Sequence, residues 1–219
     1  MIICPLCLNT KLFTMITGPD KRTYRSCDNC KLIFTDTRYQ PTRKEAEKRY
    51  KLNKNGIQYP TYLEILKQAF RPELPFVNSS LTGLDYGCGP EPTLSTFLEQ
   101  EDITCDSYDP IFFPDLPQKQ YDFIFATECF EHFFLPAKEM QQIKKLLKPE
   151  GILIVITELW TNAEAFAKWN NAKDAMHVSF YHRITMDFIC NKYGFSIVPS
   201  DNPEVTVFQK ILIEEKVLA

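Results

Sequence analysis

The sequence predicts an α/β protein whose core is a doubly wound parallel sheet, with a small cysteine-rich unit ahead of it. Apolar segments with the length of buried strands alternate with amphipathic segments, which favours parallel strands joined by right-handed crossovers. The strands are predicted near 81–86, 103–108, 122–127 and 151–157, and the helices between them near 93–100 and 137–147. A second observation is a pair of Cys-x2-Cys motifs near the N-terminus. The predicted division is therefore a ribbon at 1–37, a helical connector at 38–80 and the main domain at 81–219.

The N-terminal unit carries its cysteines as two pairs separated by nineteen residues, namely Cys4, Cys7, Cys27 and Cys30. Each Cys-x2-Cys turn points two sulfurs at one ion, so this spacing is typical of a structural zinc site with four thiolates. A hairpin with strands at 12–17 and 23–27, followed by a third strand at 31–35, completes a zinc ribbon. Disulfides are the alternative, which a reducing cytoplasm would disfavour.

The connector is predicted to be helical and basic. Residues 1–83 carry 14 Lys plus Arg against 7 Asp plus Glu, although the whole chain has a formal net charge of −3. Its basic cluster comprises Arg43, Lys44, Lys48, Arg49, Lys51 and Lys54. These side chains either contact RNA or an acidic substrate, or form a solvated helix face stabilised by ion pairs one turn apart. A second helix is predicted to begin within Tyr59–Leu66, and the proline-containing segment 71–75 to end it.

The first strand of the main sheet leads into Leu84-Asp85-Tyr86-Gly87-Cys88-Gly89-Pro90, and the next ends in Tyr108-Asp109-Pro110. The glycines permit a sharp turn and close approach to a ligand, and the second acid is placed to accept hydrogen bonds from ribose hydroxyls. A dinucleotide fingerprint requires a third glycine at position 92, where Pro92 stands instead. S-adenosylmethionine has no pyrophosphate and imposes no such requirement. The pattern therefore favours S-adenosylmethionine, with Asp85 near its amino-acid portion.

The later motifs carry a family resemblance. Tyr121-Asp122-Phe123-Ile124-Phe125-Ala126-Thr127-Glu128-Cys129-Phe130-Glu131-His132-Phe133 predicts a buried strand and a Glu-His turn, and an amphipathic helix leads from there to a Pro-x-Gly turn and another buried strand at 148–157. Over residues 80–212 the chain resembles the class I S-adenosylmethionine-dependent methyltransferases of types 11 and 23. The run Trp169…His177-Val178-Ser179-Phe180-Tyr181 resembles bacterial members that have an N-terminal zinc ribbon. The resemblance implies a Rossmann-like methyltransferase domain.

One departure from that family concerns the link after Asp109. Most members have a helix and a third strand there, but only twelve residues, three of them proline, precede Asp122. A parallel crossover needs a dozen or more residues by itself, so this strand is predicted to be absent or vestigial. Phe112, Phe113 and Leu116 are then candidates for a rebuilt adenine wall, or else they cap the core. A helix at 183–193 and two strands, at 195–199 and 205–212, are predicted to end the domain.

The predicted site residues follow the carboxyl ends of strands, where open α/β sheets bind ligands. The predicted cofactor-binding residues are Asp85, Tyr86, Gly87, Gly89, Asp109, Pro110, Thr127, Glu128 and His132. The predicted catalytic residues are His177, as the favoured general base, with Glu128 and Tyr181. For Glu131-His132, a structural role in which Glu131 caps the next helix competes with catalysis. Trp160, Phe166 and Trp169 are expected to form a substrate lid or floor, with core packing as the alternative.

The composition, 44% hydrophobic and 24% charged, is typical of a globular protein in solution. No apolar run approaches the ~18–20 residues of a membrane span, and no secretory signal is evident, so the expected location is the cytoplasm. The leading hypothesis is methyl transfer from S-adenosylmethionine to a small-molecule or sugar-type acceptor. One alternative is an RNA methyltransferase that uses the ribbon and basic connector to bind RNA. The other is a non-catalytic cofactor-binding scaffold that engages a partner protein through the ribbon.

Overall fold

The computed structural model describes residues 2–53, 55–70, 76–202 and 204–212, which form two sheets and the helices around them. The strands in this part of the chain are β1 (Phe13–Thr17), β2 (Thr23–Cys27), β3 (Ile33–Thr35), β4 (Thr82–Tyr86), β5 (Thr104–Tyr108), β6 (Tyr121–Thr127), β7 (Leu147–Ile156), β8 (Ser179–Phe180), β9 (Phe195–Val198) and β10 (Val205–Lys210). The α-helices are α1 (Arg43–Tyr50), α2 (Pro60–Phe70), α3 (Thr93–Gln100), α4 (Pro136–Leu146), α5 (Ala163–Phe166) and α6 (Arg183–Tyr193). The predicted helix break at 71–75 lies outside the described residues, as does Lys54 of the basic cluster.

The larger sheet has the strand order β5-β4-β6-β7-β10-β9. Strands β5, β4, β6 and β7 are parallel, and β10 pairs antiparallel with both β7 and β9. The α/β fold class predicted from the sequence is therefore confirmed, with α3 joining β4 to β5 and α4 joining β6 to β7. The segment between β5 and β6 contains only an isolated bridge between Asp109 and Phe113. The predicted loss of a strand at this position is confirmed.

Helix boundaries follow local chemistry. Helix α1 begins at a capping box, in which the side chains of Thr42 and Glu45 each accept a hydrogen bond from the other's backbone N–H. Helix α4 has proline in its first turn, and it buries Met140, Ile143 and Leu146, which recur at helical spacing. Helix α6 ends at Gly194, whose φ of 76° is the left-handed conformation that closes helices. These elements hold the carboxyl ends of the parallel strands at one edge of the sheet.

The smaller sheet joins the ribbon to the main domain. Its order is β1-β2-β3-β8, and β8 pairs antiparallel with β3 so that Ile33 faces Phe180 and Phe34 faces Ser179. Strand β8, which belongs to the main domain, was not predicted from the sequence. Apolar side chains of the ribbon also share one buried cluster with those under β4 and β6, including Leu6, Leu32, Phe34, Tyr86, Phe130 and Tyr181.

The aromatic residues expected over the substrate instead pack beneath the ribbon. Phe166 lies edge-on to Tyr24, with ring centroids 5.1 Å apart, and Trp169 is 5.9 Å from Phe180. The indole Nε1 of Trp160 donates a hydrogen bond to the Lys31 carbonyl oxygen. The core-packing alternative therefore describes this cluster, and the expectation of a lid was wrong. In the described part of the chain, no helix combines the length and the apolar character that crossing a bilayer requires.

Candidate cofactor and acceptor site

A cavity of about 750 Å³ opens at the carboxyl ends of β4, β5 and β6. This is the edge at which open parallel sheets bind ligands, and the volume lies within the range of small-molecule sites. Helix α1 lines one wall through Arg43, Ala46, Arg49 and Tyr50, and the segment before β8 lines another through His177. The connector thus encloses the site and is not a free spacer.

The turn after β4 brings backbone close to the cavity. Gly87 and Gly89 have φ values of 87° and 68°, the left-handed region that favours glycine. A Cβ at Gly87 would lie 2.7 Å from Cβ of Cys129, whereas a Cβ at Gly89 would meet nothing closer than 3.8 Å. The N–H of Gly87 donates to the Tyr108 carbonyl oxygen at 2.8 Å. The turn is therefore fixed against β5, and glycine is required at 87 by both backbone conformation and space.

The two acids predicted to bind cofactor have different surroundings. Asp109 accepts hydrogen bonds from the backbone N–H groups of Gly89 (3.2 Å), Ile111 (2.8 Å) and Phe112 (3.0 Å). Asp85 is 4% exposed, lines the cavity, and has no hydrogen-bond partner for its carboxylate among the residues the structure describes. Burial, with a contribution from Asp109, raises the pKa of Asp85 to about 7. The Asp109 carboxylate therefore fixes the loop that follows β5, whereas the Asp85 carboxylate remains available to a ligand.

Two further polar atoms at the cavity are buried without a partner in the described structure, Oγ1 of Thr127 and Oδ1 of Asn55. Buried polar atoms are nearly always satisfied, so these point to a ligand that satisfies them. S-adenosylmethionine carries both hydrogen-bond donors and positive charge, which matches the two oxygens and the Asp85 carboxylate. The residues present therefore fit that cofactor.

Other predicted residues are distributed around this cavity. Pro110, Glu128 and His132 line it. Tyr86 also lines it, but its hydroxyl donates to Oε2 of Glu139 at 2.5 Å and is thereby tied to α4. Tyr181 is absent from the lining. It is 1% exposed and its hydroxyl donates to the Phe130 carbonyl oxygen at 3.1 Å. The structure does not bring Tyr181 to the reacting region, because β8 turns its side chain into the core.

Four ionisable side chains gather where β6 ends: Glu128, Glu131, His132 and His177. Burial, together with Glu131, raises the pKa of Glu128 to about 8. Burial also raises the pKa of Glu131 and lowers the pKa values of His132 and His177. Glu131 accepts a hydrogen bond from Thr157 and caps no helix. The lowered pKa values of His132 and His177 favour neutral imidazoles. The raised pKa of Glu128 lets its carboxyl group exchange a proton near neutral pH.

Several lining residues were not predicted from the sequence, including Asn55, Tyr62, Arg43, Arg49 and Tyr50 as parts of the cavity. Ile111, rather than Phe113 or Leu116, supplies apolar lining from the shortened link. Phe112 packs against Tyr50, with ring centroids 6.4 Å apart. A signal for Tyr50 existed in the sequence, because an aromatic residue in an otherwise polar helix must pack against something.

Glu91, which departs from the family pattern, turns toward the connector. Its Oε2 accepts a hydrogen bond from Nε2 of Gln58 at 2.8 Å. The carboxylate is thereby anchored at the rim of the cavity.

The four N-terminal cysteines converge as the spacing predicted. Sγ of Cys4 lies 3.6 Å from Sγ of Cys30, and Sγ of Cys7 lies 3.5 Å from Sγ of Cys27. All four sulfurs lie within 4.8 Å of one another. Tetrahedral Zn–S bonds of about 2.3 Å place sulfurs roughly 3.8 Å apart. The thiol geometry therefore fits a tetrahedral ion closely.

A family model described as a methyltransferase domain matches residues 56–200, more than half of the chain. A crystal structure of a SAM-dependent methyltransferase from Archaeoglobus fulgidus is similar, with a TM-score of 0.51, 17% identity, and coverage of 68% of this chain and 94% of that one. An O-methyltransferase family protein from Burkholderia thailandensis is similar with a TM-score of 0.50, 15% identity, and coverage of 79% and 65%. No curated protein matches the sequence. The two structures share the fold, and the family match spans the glycine turn and His177.

Proposed function

Since the chain belongs to the methyltransferase domain family and is an S-adenosylmethionine-dependent methyltransferase, we propose that it methylates a small-molecule or sugar-type acceptor held beneath α1. The observation that carries the proposal is the cavity at the carboxyl ends of the strands, which Asp85 lines and where Oγ1 of Thr127 and Oδ1 of Asn55 are buried without a partner among the described residues. A cavity of about 750 Å³ suits a cofactor and a small acceptor, because it lies within the size range of small-molecule sites.

S-adenosylmethionine supplies an activated methyl group on a sulfonium. Asp85 is the group to bind the cationic amino-acid portion, and Asp109 retains lone pairs for ribose hydroxyls. Gly87 allows the close backbone approach. The chain's remaining task is to orient the acceptor and to take its proton where it has one. Glu128 and His177 are the two predicted catalytic residues that face the cavity.

The division of the basic cluster supports a small acceptor over RNA. Arg43 and Arg49 line the cavity, where Arg43 donates to the Ile111 carbonyl oxygen and Arg49 lies 3.4 Å from Asp174. Lys44 and Lys48 are not part of the lining, and all four side chains are exposed. Because Arg43 and Arg49 are engaged by these contacts at the cavity, they are less available to a phosphate backbone than the side chains of a solvated basic face would be.

For the N-terminal cysteines, we propose a structural Zn²⁺ held by Cys4, Cys7, Cys27 and Cys30. Four thiolates leave no open position for a substrate. The convergence of the sulfurs supports this assignment.

The test is calorimetric titration with S-adenosylmethionine of the wild-type protein, Asp109→Asn and Asp106→Asn. We expect micromolar affinity for the wild type and a loss of about 10-fold or more in Asp109→Asn, since a hydrogen bond to a charged group contributes roughly 1.5–3 kcal/mol. Asp106 is the matched control, because it lies on β5, which leads into Asp109, but pairs with Lys119 outside the cavity. A folded wild-type protein that does not bind the cofactor would contradict the proposal and favour the scaffold alternative.

A further inference from the structure

A second cluster of ligand-binding side chains follows β6 and precedes β8. Glu131, His132 and His177 each offer a ligand atom, and these atoms all lie within 4.8 Å of one another. Glu131 and His132 follow β6, and His177 precedes β8. Asp85 and Asp109, in contrast, end β4 and β5. His132 and His177 line the cavity, and Glu131 is buried beside them.

Both histidines are oriented by carbonyl oxygens. Nδ1 of His132 lies 3.1 Å from the Met176 carbonyl oxygen, and Nδ1 of His177 lies 2.7 Å from both the carbonyl oxygen and Oδ1 of Asn171. Since these partners only accept hydrogen bonds, each Nδ1 carries the proton. Each Nε2 then presents a lone pair. A ring N–H donated to a carbonyl is the usual arrangement behind a metal-binding imidazole.

The carboxylate of Glu131 is oriented in the same way. Its Oε2 accepts a hydrogen bond from Oγ1 of Thr157 at 2.7 Å, while Oε1 is buried with no partner among the described residues. The residue as a whole is 2% exposed. Leaving a carboxylate oxygen buried and unpaired is costly. A cation between the three groups would give this oxygen a partner.

We propose that Glu131, His132 and His177 bind one divalent transition-metal ion, with Zn²⁺ or Fe²⁺ as the fitting class, at the edge of the cavity that the two histidines line. Two imidazoles and one carboxylate form a ligand set that leaves coordination positions open. Ligand atoms about 2.1 Å from one tetrahedral ion lie about 3.4 Å apart, so the three groups, now within 4.8 Å of one another, would have to move inward by up to about 1.4 Å. This ion is separate from the one assigned to the four thiolates.

The open positions indicate the class of acceptor, an inference that rests on the proposed function. A divalent ion binds oxygen donors and lowers the pKa of a hydroxyl group bound to it. The acceptor would then be a hydroxyl compound, such as a sugar derivative, that is methylated on oxygen. His177 would bind the ion and would not be the general base.

The test uses Co²⁺ as a spectroscopic probe on full-length protein whose thiolate site already holds zinc. The wild type is expected to take up one equivalent of Co²⁺, with weak visible bands and without the intense thiolate-to-cobalt absorption. Glu131→Gln and His177→Gln should weaken this binding by more than about 10-fold, since loss of even an outer partner of a metal site weakens affinity 10- to 100-fold. Glu131→Gln keeps an oxygen for Thr157, which preserves the local fold.

The matched control is His182→Asn. The chain has three histidines, and His182 caps α6 outside the cavity, so its variant should bind Co²⁺ as the wild type does. The proposal is overturned if the wild type takes up no Co²⁺, or if Glu131→Gln binds it equally well. Calorimetry with S-adenosylmethionine on the same preparations separates the two proposals, because cofactor binding with no Co²⁺ uptake would refute only the metal site.

Discussion

At the scale of single residues, Asp85 shows how the site is prepared for a cation. Its carboxylate is 4% exposed and close to a second acid, so ionisation is penalised by lost hydration and by repulsion. The pKa of about 7 is the result. A bound cation would reverse both penalties. The residue therefore destabilises the empty protein at neutral pH in a way that a cationic ligand can relieve.

The first prediction concerns the pH dependence of stability. The pKa of Asp85 rises from 3.8 in the unfolded chain to about 7 in the folded protein. Between these values the folded state binds the proton more strongly, so the free energy of unfolding should fall as pH rises from about 4 to 7 and level off above. Asp85→Asn should make this decline smaller by the part that Asp85 causes and leave the part that comes from Glu128 and Glu131, whose pKa values are also raised. Urea unfolding at pH 5 and pH 8 would measure the difference.

Asp106→Asn is the control and should leave the decline between pH 5 and 8 in place. If Asp85→Asn showed the wild-type dependence, another group would be responsible. A linked outcome is that cofactor binding below pH 7 should release a proton, because the cation favours the ionised carboxylate. Calorimetry in buffers of different ionisation enthalpy would detect that proton.

At the scale of elements, the turn between β4 and α3 depends on its two glycines for different reasons. Both have positive φ, but only Gly87 faces a close neighbour, Cys129. An L-residue in the left-handed region costs roughly 1–2 kcal/mol. At Gly87 a steric clash adds to that cost.

We therefore expect Gly87→Ala to be more destabilising than Gly89→Ala, which should lose only about 1–2 kcal/mol. Gly87→Ala should also weaken S-adenosylmethionine binding more, since the turn must shift to relieve the contact. Denaturant unfolding and calorimetry on the two variants provide the comparison. Equal losses in both variants would mean that the Cys129 contact has no consequence.

The strands and helices also differ in how far the sequence could predict them. Strands β4 to β7 and helices α3 and α4 were predictable because apolar periodicity and turn residues act locally. The cysteine cluster was predictable because spacing alone brings the sulfurs together. Strand β8 has only two residues, too few for any periodicity, and it exists because β3 offers an unpaired edge. The burial of Tyr181 follows from the pairing of β8 with β3, so it could not be predicted from the sequence either.

Asn55 and Glu131 show a second limit of the sequence. A polar residue is recognisable along the chain, but its lack of a partner is a property of the assembled site. The convergence of His132 with His177 likewise depends on the pairing of β8 with β3. Motifs following β4 and β5 could be assigned to a cofactor, whereas the cluster of Glu131, His132 and His177 required the tertiary structure.

At the scale of the whole molecule, the ribbon is joined to the wall of the cavity. Arg22 donates hydrogen bonds to the carbonyl oxygens of Ala172 and Asp174, and the hydroxyl of Tyr24 donates to Ala172 as well. The N–H of Thr35 donates to the Val178 carbonyl oxygen. These contacts flank His177 on both sides. The ribbon therefore supports the segment that presents His177 to the cavity.

This coupling leads to the last prediction, for loss of the proposed ribbon zinc. The sequence alone suggested that chelation would loosen only about the first 37 residues. From the contacts above, Cys27→Ser should also raise amide hydrogen exchange in residues 171–180, by about 10-fold or more, because the carbonyl partners of Arg22 and Tyr24 lose their donors. Exchange in β4, which the ribbon does not pair with, should remain near the wild-type rate. Cys190→Ser, a cysteine outside the cluster, is the matched control and should leave both regions unchanged. If exchange in Cys27→Ser rose only within residues 1–37, the ribbon would be an independent unit and would not support the site.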